Sequence, residues 1–307
     1  MSREPRIAIV TEEPGWHGTE LRRALESRGA EVRMASLSNS RLDVGAGGAR
    51  VVMPGFEQRL PDGVIVRDVP GGTLEQVILW LDVLHALREL GVPVYNDARV
   101  IERTVDKGMT SFLLRRAGLH VPETTVTGSL EQARTFVEAA SRAGHDVVVK
   151  PLFGSLGVGL RRLTSGMDVP GAAECSGIWY LQHFVAPAPP AEGWHDWRVL
   201  VVGGEAIAAM VRRGMGWISN VAQGARCEPA ELDRDLTRQA VAATAAVAAD
   251  YAGVDLIRDA EGQLQVLEVN GIPAWKGLQS VTSFDIADRV AEDFLSRRLG
   301  ARNGVGR

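Results

Sequence analysis

Short apolar runs alternate with segments of helical periodicity along the first third of the chain. Apolar residues recur at helical spacing within Thr19–Arg28, and again from Thr73 as far as Gly91. Thr73 and Gln76 also have the spacing of a capping box, which marks a helix start. The alternation is typical of a parallel α/β domain, with the glycine-rich segment 44–48 as an exposed loop. The predicted strands are Arg6–Val10, Glu31–Leu37, Val64–Val66 and Val92–Tyr95.

The rest of the chain mixes helical and strand patterns without regular alternation. Helical stripes begin at Asp106 and at Ser129, where Ser129 and Gln132 again have capping-box spacing, and a third helix is predicted over 231–250. We therefore expect an α+β architecture here. The predicted strands are Asp146–Lys150, Trp179–Val185, Arg198–Val202, Glu205–Val211, Val254–Ile257 and Leu264–Val269, with Gly203 and Gly204 as a hairpin turn.

Composition narrows the class of protein. The chain has 307 residues, 45% hydrophobic and 23% charged, which is enough for two or three domain-sized cores. The first apolar run ends before Glu12 and is too short for a signal peptide, and no run approaches the length of a membrane span. Cys175 and Cys227 are isolated, so neither a disulfide framework nor a zinc site is indicated. With a net charge of -4 we expect a cytoplasmic protein whose partners are neither nucleic acid nor membrane.

A glycine-rich loop follows the strand that ends at Lys150. It reads Pro-Leu-Phe-Gly-Ser-Leu-Gly-Val-Gly and contains Gly154, Gly157 and Gly159. Glycines let backbone N–H groups approach phosphate oxygens closely, and the lysine adds a positive charge. The spacing matches neither a Walker loop nor a dinucleotide fingerprint. The pattern alone is therefore compatible with a phosphate loop or with a plain flexible hairpin.

Oxygen-bearing side chains cluster on the last two predicted strands. Glu268 and Asn270 are two residues apart, so they point to the same face of a strand. Asp255 lies on the preceding strand and can reach the same place across the hairpin. Hard oxygen ligands of this kind suit Mg²⁺ bound together with phosphates, although edge-strand residues that face water would show the same pattern.

Two arginines, Arg212 and Arg213, end the strand Glu205–Val211, shortly before Ser219 and Asn220. An arginine at such a position can stabilise the charge of a transferred phosphoryl group and of a tetrahedral carbon. Paired arginines at a strand end are also common as a solvated rim. The sequence leaves both interpretations open.

In sequence order these features resemble the ATP-grasp ligases, and most of all the RimK-type α-L-glutamate ligases. The resemblance implies an ATP-grasp fold behind an N-terminal parallel α/β domain. We expect that domain over 1–95, the central subdomain with the glycine loop over 96–186, and the C-terminal subdomain with the metal site over 187–300. The motifs that carry the resemblance are Asp-Lys107, Val-Val-Lys150-Pro, Leu-Gln182-His-Phe, Asp196-Trp-Arg198, Ala-Met-Val-Arg-Arg213, Ser219-Asn220, Gly-Val-Asp255 and Leu-Glu268-Val-Asn270.

The resemblance also implies a role for each residue. Lys107 and Lys150 would contact the phosphates of ATP, and Asp196 would lie near the ribose. Arg213 would act on the transferred phosphoryl group, with Lys150 as the second catalytic residue. The metal ligands Asp255, Glu268 and Asn270 would hold two Mg²⁺ or Mn²⁺ ions. The other nucleotide-binding residues would be Gly154, Ser155, Gly157, Gly159, Gln182, His183, Phe184, Val185 and Asn220, and the substrate candidates are Arg198, Arg212, Ser219, Trp275 and Lys276.

The implied reaction joins a carboxylate to an amine through an acyl-phosphate. L-Glutamate is the expected amine, the acceptor would be a pterin-like small molecule or a protein carboxylate, and a homo-oligomer is compatible with the family. Trp275 and Lys276 would suit a flat or anionic acceptor, but the tryptophan would serve equally well to pack its loop. Alternatives are an ATP-grasp ligase for another amino acid or a carrier protein, a small-molecule kinase, and a nucleotide-binding regulator.

Overall fold

The computed structural model describes residues 3–154, 157–187 and 193–299. Their strands are β1 (Arg6–Val10), β2 (Glu31–Ala35), β3 (Arg41–Gly45), β4 (Gly48–Val52), β5 (Gly63–Val66), β6 (Val94–Tyr95), β7 (Thr124–Thr127), β8 (Val147–Lys150), β9 (Arg161–Leu163), β10 (Trp179–His183), β11 (His195–Val202), β12 (Glu205–Arg213), β13 (Arg226–Ala230), β14 (Tyr251–Arg258) and β15 (Leu264–Asn270). The helices are α1 (Gly15–Glu26), α2 (Leu74–Glu89), α3 (Ala98–Val105), α4 (Lys107–Arg116), α5 (Leu130–Arg142), α6 (Arg234–Val247), α7 (Lys276–Gln279) and α8 (Ile286–Asp293).

The chain divides into two units. The first contains the described parts of residues 1–101, 249–251 and 271–307, and the second contains those of 102–248 and 252–270. The first unit is built on a parallel sheet with strand order β2-β1-β5-β6. Buried apolar residues of β1 and β5 form one core with the buried side of α2. The predicted parallel α/β domain is thus present.

Local sequence signals explain where the helices of both units begin. The Thr73 hydroxyl accepts from the backbone N–H of Gln76, and the side-chain oxygen of Gln76 accepts from the backbone N–H of Thr73. The predicted capping box is therefore formed. Ser129 caps α5 by accepting from the N–H of Gln132, but its own N–H donates to Thr127 and not to Gln132, so only half of the predicted capping box is formed. The prediction of a loop over 44–48 was wrong. β3 and β4 pair as a hairpin through these residues, because glycine at Gly48 permits the tight turn that the alternating flanks require.

The second unit contains two sheets. The first is antiparallel and has the strand order β7-β10-β8-β9. One of its faces packs against α5 through an apolar cluster that includes Val147, Val149 and Leu181. Because side chains alternate along a strand, Val148, Lys150, Tyr180 and Gln182 occupy the opposite face. This face, on the side away from α5, carries much of the candidate site.

The second sheet of this unit has the order β13-β12-β11-β14-β15. β11 and β12 form the predicted hairpin, and Gly203 and Gly204 both adopt positive φ in its turn. β14 and β15 pair antiparallel and bring Asp255 opposite Glu268. Among the described residues, no helix is long and apolar enough to cross a membrane.

Candidate active site

The ammonium group of Lys150 is held in place by a neutral side chain. Its Nζ donates to Oε1 of Gln182 at 2.7 Å. The amide nitrogen of Gln182 donates to the hydroxyl of Tyr180 at 2.9 Å and to Oγ1 of Thr124 at 3.1 Å. Both amide hydrogens are thereby used, which fixes the amide oxygen toward the lysine. Ser111 in turn bonds the Tyr180 hydroxyl at 2.9 Å.

Two lysines at this site are positively charged without a carboxylate partner. Burial lowers the pKa of Lys150 to about 8, the neighbouring Lys107 adds to the effect, and Glu268 opposes it. Burial also lowers the pKa of Lys107, whose Nζ donates to the carbonyl of Gly154 at 2.6 Å. Neither ammonium forms an ion pair within the described chain. An anion such as a phosphate would supply the missing charge.

The glycine loop approaches the segment that contains Asn220. Gly157 and Gly159 have φ of +73° and +77°, a region in which side chains are strained. A Cβ on Gly157 would lie 2.8 Å from Oδ1 of Asn220, so only glycine allows this approach. The predicted phosphate contact at Ser155 lies outside the described residues, while Gly154 is present on the Lys107 side of the loop.

The segment 182–185, which the resemblance assigns to nucleotide binding, presents its side chains to two different faces. His183 stacks on His145 with ring centroids 5.0 Å apart and contacts Phe136 of α5, and burial lowers its pKa. Phe184 points the other way, toward the face of Lys150, with the Arg162 guanidinium 3.9 Å from its ring centroid. The backbone N–H groups of His183 and Phe184 bond Glu123 and Asp146. The N–H of Val185 has no partner among the described residues.

Two arginines and two aspartates form a buried ion cluster on the other sheet. Arg212 donates to both oxygens of Asp196 at 2.7 Å, and Arg198 donates to both oxygens of Asp255 at 2.7 Å. Arg212 also lies 3.0 Å from Asp255 and so joins the two pairs. Although burial opposes it, the two guanidinium groups keep the pKa of Asp255 below its usual value. Burial raises the pKa of Asp196 while Arg212 opposes the rise.

This cluster bears on the roles that the resemblance implies for Asp196 and the two arginines. Both carboxylate oxygens of Asp196 accept from Arg212, and the implied ribose contact of Asp196 stays a prediction. Arg213 is the neighbour of Arg212 in β12, so it points to the opposite face of the sheet, where it donates to Glu228 at 2.7 Å. The structure therefore brings Arg212, in place of Arg213, beside Asp255.

The three predicted metal ligands lie on the β14–β15 hairpin. Asp255 stands opposite Glu268, and Asn270 follows on the same face as Glu268. Glu268 forms no hydrogen bond or ion pair with any described residue. The amide nitrogen of Asn270 donates to Gly253 at 3.4 Å, which leaves its oxygen available. The described residues contain no cluster of three or more His, Cys, Asp or Glu, so Asn270 would have to be the third oxygen ligand.

The remaining substrate candidates belong to different units. Ser219 is buried in the second unit beside Asn220. Trp275 and Lys276 belong to the first unit, where the Trp275 side chain is 1% exposed. Its ring contacts His17 and has the Arg67 guanidinium 4.5 Å above it, and Nε2 of His17 accepts the backbone N–H groups of Trp275 and Lys276. Trp275 thus packs its own loop, and Lys276 is exposed.

Sequence reasoning did not find Tyr180, Ser111 and Thr124, which position Gln182 and through it Lys150. One signal for Tyr180 was present, because a residue two positions before Gln182 on a strand shares its face. Ser111 and Thr124 carry no such signal, since their contacts depend on how α4 and β7 meet β10.

Comparison with known proteins shows the family of the chain. The model of the RimK-like ATP-grasp domain matches residues 104–294. The chain is 35% identical over 222 residues to the tetrahydromethanopterin:alpha-L-glutamate ligase of Methanocaldococcus jannaschii, covering 70% of this chain and 74% of that one. It is 29% identical to the protein of the same name from Methanococcus maripaludis, covering 95% and 98%.

A solved structure of the ATP-grasp ligase PsnB, complexed with minimal precursor, Mg and ADP, has a TM-score of 0.70 at 24% identity, covering 97% of this chain and 98% of that one. The likeness confirms the predicted ATP-grasp fold. The relatives that match most of the chain are named as ligases, which is the enzyme class predicted from the sequence. The domain match covers more than half of the sequence. The chain therefore belongs to the RimK-like ATP-grasp family of ATP-dependent ligases.

Proposed function

We propose that the protein uses ATP and Mg²⁺ to form an amide between the carboxylate of a small-molecule acceptor and the α-amine of L-glutamate. One observation carries the proposal. Lys107 and Lys150 are half-buried and form no ion pair with a carboxylate, while Glu268, whose charge acts on both lysines, forms no ion pair with a described residue. Such a site lacks both an anion and a cation, and a metal–nucleotide complex supplies the two together.

The nucleotide would occupy the face of the sheet that α5 leaves uncovered. Lys107, Lys150 and the glycine loop would bind its phosphates. The backbone N–H of Val185, which has no partner among the described residues, would donate to a ring nitrogen of adenine. A nucleotide site here is supported by the PsnB complex, which contains ADP and Mg. Phe184 faces the same side and offers an apolar edge to the base.

Asp255, Glu268 and Asn270 would hold two Mg²⁺ ions, for which Mn²⁺ is a chemically similar substitute. When bound, these ions offset negative charge between the phosphates. Arg198 and Arg212 hold the carboxylate of Asp255 ionised and in a fixed orientation before any metal arrives. Arg212 is also the arginine that the geometry favours for the transferred phosphoryl group, since Arg213 points to the other face.

In the reaction, an oxygen of the acceptor carboxylate attacks the γ-phosphorus of ATP, and ADP leaves with the bonding electron pair. The uncharged α-amine of glutamate then attacks the acyl carbon, phosphate leaves, and the amine proton passes to solvent or phosphate. No covalent bond to the protein is needed. The ammonium groups of Lys107 and Lys150 stabilise the negative charge on the phosphoryl oxygens.

The glutamate donor and a pterin acceptor are supported by the relatives, whose names specify tetrahydromethanopterin and L-glutamate. The test measures ADP release with ATP, Mg²⁺ and L-glutamate in the presence of tetrahydromethanopterin, with mass spectrometry of the products. A gain of one glutamyl unit on the pterin is expected. A phosphorylated acceptor hydroxyl, or a glutamyl unit on a protein carboxylate only, would replace this proposal.

A further inference from the structure

A cavity of about 720 Å³ lies between α4 and β7 in the second unit. Its volume falls in the range of pockets that enclose a small organic molecule. The apolar part of its lining is formed by Met109, Phe112, Val126 and Leu152. These four apolar side chains have no part in the nucleotide and metal site described above. Ser111 and Thr124, which position Gln182, also line the cavity, so it lies beside that site.

The helix beside the cavity exposes two large apolar side chains. α4 buries Thr110, Ser111 and Leu114 but leaves Met109 44% and Phe112 62% exposed. The buried hydroxyls are satisfied, because Thr110 donates to the carbonyl of Arg103 and Ser111 bonds Tyr180. Turning large apolar side chains outward is unfavourable in water, and it becomes favourable once a ligand covers them. Both exposed residues face the cavity.

Glycine keeps one wall of the cavity open. A Cβ on Gly108 would lie 3.1 Å from a methyl group of Val126 and 3.2 Å from Oδ1 of Asp106. It would also lie 3.6 Å from a methyl group of Leu152. All four residues line the cavity, so any side chain at position 108 would fill part of it.

Polar groups stand at the margin of the apolar lining. Asp106 contributes a carboxylate whose Oδ1 accepts from the backbone N–H of Met109 as the cap of α4, and Glu123 contributes a second carboxylate. Arg115 contributes a guanidinium group that has no partner among the described residues. Carboxylates accept from the paired N–H groups of an aminopyrimidine edge, whereas a guanidinium binds an anionic substituent. A flat ring between Phe112 and Val126 would have both kinds of partner within the same lining.

The cavity also adjoins the phosphate loop. Leu152 belongs to that loop and lines the cavity. Lys107 lies in the sequence between two lining residues, Asp106 and Gly108, and its ammonium group bonds the carbonyl of Gly154. A molecule whose ring fills the cavity can therefore direct a carboxylate tail toward the lysines that bind phosphate.

We infer that this cavity binds the planar heteroaromatic ring of the carboxylate acceptor, a pterin, between Phe112 and Val126. The inference rests on the proposed function and assigns its acceptor to a location. It also explains why Trp275, which is buried, need not be the platform for the ring.

The test compares the wild type with Phe112→Ala and Val126→Thr. The second variant keeps a β-branched side chain and is expected to fold even if the first does not. Leu79→Ala in α2 is the matched control, because Leu79 is a similarly exposed apolar residue at 41% and lies in the first unit. Binding of the fluorescent ring compound 6-carboxypterin is followed by anisotropy, and ADP binding is measured on the same samples.

Loss of an aromatic wall should weaken pterin binding roughly tenfold or more while ADP affinity stays within about twofold. Leu79→Ala should bind both as the wild type does. Unchanged pterin affinity in both cavity variants would overturn the inference and leave the proposed reaction intact. If the wild type binds ADP but no pterin, both this inference and the proposal of a pterin acceptor are refuted. If the ring binds but tetrahydromethanopterin is not glutamylated, only the proposed reaction is refuted.

Discussion

Replacing Asp196 by asparagine tests the buried ion cluster that orients Asp255. The substitution keeps the shape of the side chain and removes one negative charge. Both oxygens of Asp196 accept from Arg212 at 2.7 Å, and an asparagine can accept through only one oxygen. Arg198 and Arg212 would then share the single carboxylate of Asp255 in a buried setting.

The expected cost follows from this arrangement. Removing one partner of a buried ion pair costs about 3–5 kcal/mol. Arg212 keeps its 3.0 Å contact with Asp255 and can still donate one hydrogen bond to the asparagine oxygen, so we expect about 2–4 kcal/mol for Asp196→Asn. The control is Glu228→Gln, which breaks the Arg213 pair on the other face. Its side chains are 34% and 45% exposed, and we expect a loss below about 1 kcal/mol.

Urea unfolding, followed by tryptophan fluorescence, gives both free energies. Trp194, Trp197 and Trp217 belong to the second unit and report on it. The same samples are titrated with Mg²⁺ during ADP release, because a displaced Asp255 should raise the Mg²⁺ concentration needed for half-maximal turnover. Equal destabilisation by Asp196→Asn and Glu228→Gln would refute the reasoning, since the cluster would then contribute no more than an exposed pair.

Three further outcomes are expected. Since the pKa of Lys150 is about 8, its ammonium group loses its charge above pH 8, and the dissociation constant of ADP should rise by up to about tenfold per pH unit there. Lys150→Arg stays charged and should show a weaker pH dependence in a calorimetric titration. Glu268→Gln should abolish Mg²⁺-dependent ADP release while the free energy of unfolding stays within about 0.5 kcal/mol, with Glu261→Gln in the exposed turn as the control. Burial, Arg67 and Lys276 lower the pKa of His17 from 6.5 to about 4, so this residue makes the folded chain more stable as pH rises from 4 to 6.5. Urea unfolding of His17→Gln at a series of pH values should lack this gain. An unfolding free energy that depends on pH as in the wild type would contradict the prediction.

Much of the fold follows from patterns that are local in sequence. A capping box at Thr73 and an N-cap at Ser129 mark helix starts, and paired glycines at 203 and 204 mark a hairpin. The period of two along a strand also predicts that Glu268 and Asn270 share a face. These inferences need only the neighbouring residues, because the physical constraint is the geometry of one helix or strand.

Other features depend on partners far away in sequence. Arg212 and Arg213 are adjacent and of the same type, so only the pairing of β12 with β11 decides which one meets Asp196. The burial of Trp275 depends on His17, 258 residues earlier. An apolar residue such as Phe112 predicts a core face, yet α4 exposes it, because hydroxyls of Thr110 and Ser111 find partners on the inner side. No pattern along one segment contains this information.

The separation of charge between Lys150 and Glu268 has a consequence for binding. If the two groups formed a salt bridge, the incoming phosphate and the incoming metal would each have to break it, and the desolvated pair would compete with both. Instead the neutral oxygen of Gln182 holds the ammonium group, and Glu268 has no partner among the described residues. A hydrogen bond to a neutral acceptor is weaker than one to a carboxylate, so a phosphate oxygen can join or replace it at little cost. Gln182→Glu should therefore tighten the hold on Lys150, raise its pKa above 8 and weaken ADP binding despite conserving shape.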